Sequence, residues 1–371
     1  MIKPQNRLRE LDFLRGIAIL LVLMRHQLLF QFTKTMGWIG VDLFFVLSGF
    51  LVSGLLFKEF LKFGNIKPKL FLIRRGFKIY PLYFLTYLLY LTPIIIKNKL
   101  EWKGFLSDLF FVQNYINGWG YAYSASWSLA VEEHFYFGLA LLLWIGIKKN
   151  IFNFNVSFNS LLISKFEYFI LIIFIVCFCL RVFNAIYFPE LTSKNITMTH
   201  LRIDSLLAGV LVSYWYYFKN EIVKKFFFTY KAILITISIL LLSFTPFKDQ
   251  LDSTFVKTIG FSMLYISFSI ILIYFLLQEN INQVLNKMFT SKIVNFVSKI
   301  GFSSYSIYII HTFVNYIFNL INTILLKSAI NHFILFFTTS LISIFAGIFM
   351  TMYIEKYFLK IRDRKYPSRI V

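Results

Sequence analysis

Residues 255–277 read FVKTIGFSMLYISFSIILIYFLL. The stretch is long and apolar, with a single charge, Lys257, near its start. A bilayer-spanning helix needs about 20 apolar residues, whereas a barrel strand needs about ten and alternates apolar with polar positions. This run does not alternate, so it reads as a helix crossing a membrane, and the barrel class is excluded. Comparable runs recur along the chain. Hydrophobic residues make up 58% of it and charged residues only 15%, against roughly 25% charged in soluble domains. The sequence therefore predicts an all-α integral membrane protein with about ten spans, at 11–31, 38–57, 79–96, 127–147, 166–186, 201–218, 231–247, 257–277, 302–325 and 333–354. The segment 104–115 is apolar but too short for a crossing, and suits a re-entrant or interfacial helix. Ten spans leave about 170 residues for all tails and loops. The expectation is one membrane-embedded domain over 1–371 with no room for an appended soluble domain.

The net charge of +21 follows largely from topology. With the N-terminus in the cytoplasm, the inward-facing segments hold 26 basic residues and the outward-facing ones 8. That asymmetry predicts cytoplasmic N- and C-termini by the positive-inside rule, in a multi-pass protein of the plasma (inner) membrane. Charge explained in this way does not call for a nucleic-acid partner. The N-terminus resembles a signal peptide, but its apolar stretch is interrupted by Arg15, Arg25 and His26 and lacks a small-residue cleavage site, so it reads as a retained first span. Cys177 and Cys179 share one apolar run and read as small hydrophobes. The Asn-rich segment 150–159 reads as a linker.

Ionisable groups inside spans cost a few kcal/mol each and face the protein interior, so they carry most of the functional information. In the first span Arg15 and His26 are eleven residues apart, which places them on one helix face about 16 Å apart along the axis. Asp42, near the outer end of the second span, matches His26 in depth and is a candidate to orient the imidazole; a helix-terminal role is equally compatible. Gly40, Gly49 and Gly54 favour close helix packing there. Arg74, Arg75 and Lys78 cluster just before Tyr80 and Pro81 and suit phosphate groups, or anchor the span at the interface. Glu132 and Glu133, adjacent in the fourth span, point about 100° apart: one is expected to face a cavity while the other pairs with a cation such as Arg25 or Arg202. Ser128 lies on the Glu132 face. Arg202 and Asp204 open the sixth span and His311 lies midway along the ninth; each set suits a site or interhelical hydrogen bonding.

Six blocks in this order carry a resemblance: LDFLRGIAILLVLMRH, GVDLFFVLSGFLVS, RRGFKIYPLY, WSLAVEEHFYF, LRIDSLLAGVL and FSSYSIYIIH. Together they resemble the acyltransferase family 3 membrane proteins, which include O-antigen and exopolysaccharide O-acetyltransferases, over about residues 8–357. The resemblance implies transfer of an acyl group, acetyl by family habit, from cytoplasmic acyl-CoA to a hydroxyl of a glycan or similar acceptor. It implies essential roles for Arg15 and His26. The family's basic motif, two arginines three positions apart, corresponds here to Arg75 and Lys78, and the lysine keeps the charge but loses the bidentate fork. Many members carry an extracytoplasmic esterase-like domain; without one, transfer would be completed by the membrane domain or by a separate partner protein.

The residue chemistry points the same way. Acyl transfer to an alcohol needs a base for the hydroxyl proton and donors for the developing oxyanion. His26 is the candidate base, Asp42, Glu132 and Glu133 candidates to assist it, and Arg15, Arg74, Arg75 and Lys78 candidates for the CoA phosphates; no metal is expected. An acylated His26 is the variant of this scheme. The reading from another class is a transporter or flippase for a glycan or its lipid-linked precursor, using the same buried charges as a path. Trp119, Tyr121, Tyr123 and Trp127 could stack on sugar rings or form an interfacial belt.

Overall fold

The computed structural model describes residues 8–152, 154, 162–323 and 331–370, and among these every regular element is helical. Three of the basic residues counted for topology (Lys3, Arg7 and Lys327), residues 324–325 of the ninth expected span and most of the linker 150–159 lie outside the described residues.

The interior is built from α1 (Arg9–His26), α3 (Ile39–Phe63) and, later in the chain, α10 (Thr199–Phe218). A short α2 (Gln31–Met36) turns the chain from α1 into α3. Helix α3 ends at Gly64, whose positive φ of 67° lets its N–H reach Phe60 O at 2.7 Å, the left-handed stop that glycine adopts without steric cost. Helix α4 (Pro68–Ile96) follows, with Pro68 in the first turn, where a missing N–H is harmless. It starts eleven residues before the expected span at 79, so Arg74, Arg75 and Lys78 stand on a helix, not in a loop. At about 1.5 Å per residue α4 is some 43 Å long and outreaches the hydrocarbon core, which accommodates those charges at its first turns.

The segment 104–115 is two short helices, α5 (Trp102–Leu109) and α6 (Gln113–Ile116), broken where Phe111 takes a φ of 56°. The Asp108 carboxylate accepts the Tyr121 and Ala122 N–H groups at 2.9 Å each and so ties the following loop to α5. Burial pushes this carboxyl up to about 6 against the pull of those two amides. Helices α7 (Trp127–Lys148), α8 (Lys165–Tyr187), α9 (Lys194–Thr197), α10, α11 (Asn220–Leu242) and α12 (Phe261–Leu277) follow. The apolar window of α10 is 83% buried and that of α3 72%, against 11% for α11 and 17% for α8, so the first two are core and the latter two perimeter.

A correction concerns residues 281–301, which fall in the inward-facing loop expected between the spans 257–277 and 302–325. They form helix α13 (Ile281–Phe302), bent at Thr290. Its apolar positions, Ile281, Leu285, Val294 and Ile300 among them, are buried, and the interspersed Lys and Asn residues hid the helical period. Helix α14 (Ser304–Ile321) leaves α13 at 78°, and α15 (His332–Met350) continues through a π turn at Thr351–Glu355 into α16 (Lys356–Lys365). Among the described residues eight helices are long and apolar enough to cross a membrane, or up to nine when the bent α13–α14 pair counts as one span, so the chain is a multi-pass membrane protein. The remaining expected span is α1. Its charges Arg9, Glu10, Asp12, Arg15 and Arg25 keep it from reading as lipid-facing, and α3, α13 and α14 surround it.

Two glycine pairs set the closest approaches. A Cβ on Gly301 would run into Asp12 O and Gly16 N, and one on Gly209 into Val46 O and Phe50 N. Backbones of α1 with α13, and of α3 with α10, meet there without side chains between them.

Candidate active site

Arg15 and His26 share a face of α1, and that face meets α14. Arg15 Nε and Nη2 donate to Ser304 Oγ at 3.2 and 3.0 Å, and His26 Nδ1 lies 3.3 Å from His311 Nε2. Ser304 and His311 are seven residues apart, about two turns, so one face of α14 serves both. The imidazoles meet edge to face with centroids 4.7 Å apart. His311 is fully buried, while His26 is exposed at its end of the bundle.

A cavity of about 230 Å³ lies among α3, α4, α7 and α14 and reaches α1 at Arg15; Ser48, Arg75, Lys78, Ser128, Glu132 and Tyr308 also line it. It shares Arg15, Leu51, Arg75 and Lys78 with a second cavity of about 850 Å³. The larger cavity adds Lys58, Arg74, Arg362 and Arg369 to its cationic wall, against the acids Asp12, Glu59 and Asp363. The spacing of the basic motif explains the division: Arg75 and Lys78, three apart, share a helix face and reach both cavities, while Arg74 points about 100° away and lines only the larger one.

Partners distinguish these cations. Lys78 is paired with Glu355, and Arg74 with Asp363 and the carbonyl of Tyr366. Arg75 makes no salt bridge or hydrogen bond to a described residue; its guanidinium stands over the rings of Tyr136 and Phe71, 5.4 and 5.8 Å from their centroids. An arginine beside two aromatic rings with its donors uncommitted has the chemistry to receive an anion.

The two glutamates divide as adjacency requires, but not with the expected partners. Glu132 faces the smaller cavity and accepts from Ser48 Oγ at 2.7 Å and Tyr136 OH at 2.9 Å. Glu133 turns to α4 and accepts from Tyr80 OH at 2.6 Å. Neither pairs with Arg25 or Arg202. Arg25 holds Asp249 in the loop after α11, and Arg202 holds Asp42 at 2.6 Å.

The Asp42 pair is a second correction, since no contact with His26 forms. Arg202, fully buried, lies 3.6 Å from the Phe261 ring centroid and needs a counter-charge in that apolar cage; Asp42 supplies it, with Ser205 Oγ at 3.4 Å. Nor do Arg202 and Asp204 pair with each other. Residues two apart on a helix point to nearly opposite sides, and Asp204 takes the buried Arg181 of α8. Ser128 Oγ and Tyr308 OH, both lining the smaller cavity, are hydrogen-bonded at 2.7 Å. Of the loop aromatics, Tyr123 and Trp127 are interior, Tyr123 stacked on Tyr90 at 4.7 Å, and are not free to stack on sugars.

The sequence reading missed Glu355, Asp249, Arg362 and Arg369. Glu355 is the residue directly after the expected last span, and the rule that finds Glu132 reaches it if that span is carried one residue further. The arginines of the C-terminal segment were counted only as topological charge.

An acyltransferase domain model matches residues 8–354. A Staphylococcus aureus (strain COL) protein that carries the provisional name O-acetyltransferase is 27% identical over 337 residues, covering 83% of this chain and 51% of its own length. The peptidoglycan O-acetyltransferase OatA of Listeria monocytogenes is 33% identical over 159 residues, 37% of this chain and 25% of that protein. The chain thus spans about half the length of the first of these relatives. No solved structure matches.

Proposed function

The chain belongs to the acyltransferase family defined by that domain, and we propose that it moves an acyl group, acetyl by the names of its relatives, from acyl-CoA to a hydroxyl of a cell-surface glycan. The observation that carries this reading is the uncommitted Arg75 guanidinium, which together with Arg15 and Lys78 lines both a large cationic cavity and a smaller one. The phosphates of CoA would take Arg75, Lys78 and the surrounding Arg74, Arg362 and Arg369, and the pantetheine arm would enter the smaller cavity toward Ser128 and Tyr308. The cavity wall does not include His26. Tyr308 bridges the gap: its ring centroid is 5.6 Å from that of His311, which in turn contacts His26.

In the proposed reaction His26 Nε2 takes the proton of the acceptor hydroxyl, and the oxygen attacks the thioester carbonyl. The C–O bond forms as the C–S bond breaks, and the proton passes from His26 to the departing CoA thiolate. Arg15 lines the donor path, and His26, exposed at the other end of α1, is open to an acceptor from that side. The excess of basic residues on one set of loops supports a reading in which the cationic cavity and both termini face the cytoplasm, in the plasma membrane. A transporter would use the same charges without consuming acyl-CoA. Purified protein should release CoA from labelled acetyl-CoA when a hydroxyl acceptor is added, and His26→Ala should lose at least about a hundredfold of that rate. Full activity in His26→Ala would remove His26 from the chemistry.

A further inference from the structure

We infer that His311 is a positioning residue for His26, holding it in the tautomer that leaves Nε2 as the free base; this rests on the reading of His26 as the proton acceptor. His311 Nδ1 lies 2.5 Å from Tyr308 O. A carbonyl only accepts, so this nitrogen carries the hydrogen, and the neutral ring presents Nε2 as a lone pair. That lone pair points at His26 Nδ1, 3.3 Å away. His26 Nδ1 is also 2.9 Å from Val22 O, again an acceptor. One N–H on His26 Nδ1 satisfies both neighbours at once, and the opposite tautomer would face a carbonyl and a lone pair with a lone pair of its own. The arrangement therefore fixes the proton on Nδ1 and leaves Nε2, which makes no hydrogen bond to a described residue, as the basic nitrogen.

His311 earns this role by rigidity. It is fully buried on α14, eight residues into a helix that also holds Arg15 through Ser304, and its ring contacts Tyr308 at the end of the donor cavity. An acceptor that could rotate away would leave His26 with Val22 O alone.

The chain has five histidines, so histidine-selective 15N labelling gives few signals, and His26→Ala assigns the relevant one. The full chain in detergent should show neutral His26 protonated at Nδ1. A signal for the Nε2–H form would overturn the inference, and this readout is independent of activity, so it is separable from failure of the proposed reaction. His311→Phe keeps a ring but removes the acceptor. It should let the Nε2–H form appear and lower kcat by about tenfold or more, with the KM for acetyl-CoA nearly unchanged. His311→Gln restores an oxygen acceptor at the distance of Nε2 and should recover most of the loss. Equal damage from both substitutions, or a rise in KM alone, would mean that His311 only fills space.

Discussion

Arg202 and Arg75 are both arginines in an apolar bundle, yet their surroundings assign them different work. Arg202 has a carboxylate at 2.6 Å and three aromatic rings around it, and is buried with its partner. Arg75 has aromatic rings and a cavity. The first is a structural ion pair and the second, in the proposed function, binds the donor's phosphates. Removing one member of a buried pair strands the other charge, so Asp42→Asn should destabilise the protein by about 3–5 kcal/mol, read as a lower detergent melting temperature. Converting both partners, Asp42→Asn with Arg202→Met, should recover much of that loss. A melting temperature unchanged in Asp42→Asn would contradict the structural assignment. These distinctions were only partly legible in the sequence. The rule that intramembrane charges face the interior found Arg15, His26, Asp42, Glu132, Arg202 and His311, but depth along a span does not say which partner sits across the interface. Asp42 matches His26 in depth and still turns to Arg202, because rotation about the helix axis, not depth, chooses the neighbour.

At the scale of helices, the register between α1 and α14 is what sets Arg15 against Ser304 and His26 against His311. The glycine contacts fix the neighbouring registers: Gly301 against Gly16 for α13 on α1, and Gly209 against Val46 for α10 on α3. Gly209→Ala puts a methyl group into backbone that cannot rotate away, and should cost about 1–3 kcal/mol by forcing the helices apart. Since α10 carries Arg202 and α3 carries Asp42 and Ser48, the same substitution should lower activity beyond its effect on folding, measured as specific activity of the folded fraction. Normal specific activity would show that the α3–α10 spacing does not reach the cavity. The long apolar runs made most helices readable within a few residues. Helix α13 was not, because its buried stripe is diluted by Lys287, Lys292 and Lys299 and by asparagines, and a hydropathy window averages over both faces.

Over the whole molecule, two accessible regions meet near one axis: cationic cavities reaching Tyr308, and His26 exposed at the far end of α1. The residues between them are His311 and Tyr308, and under the proposed function they would divide a donor side from an acceptor side. The C-terminal segment, with Arg362 and Arg369, helps to wall the larger cavity although the matched domain ends at residue 354. The central claim is that acyl-CoA enters from the cationic cavity and from no other side. Sealed vesicles of opposite orientation, given labelled acetyl-CoA outside and a hydroxyl acceptor on both sides, test it most directly. The account predicts CoA release only from vesicles that expose the Arg74, Arg75 and Lys78 end, and its loss when Arg75 and Lys78 are changed together to alanine. Equal release from both orientations, or release that survives the double substitution, would contradict it.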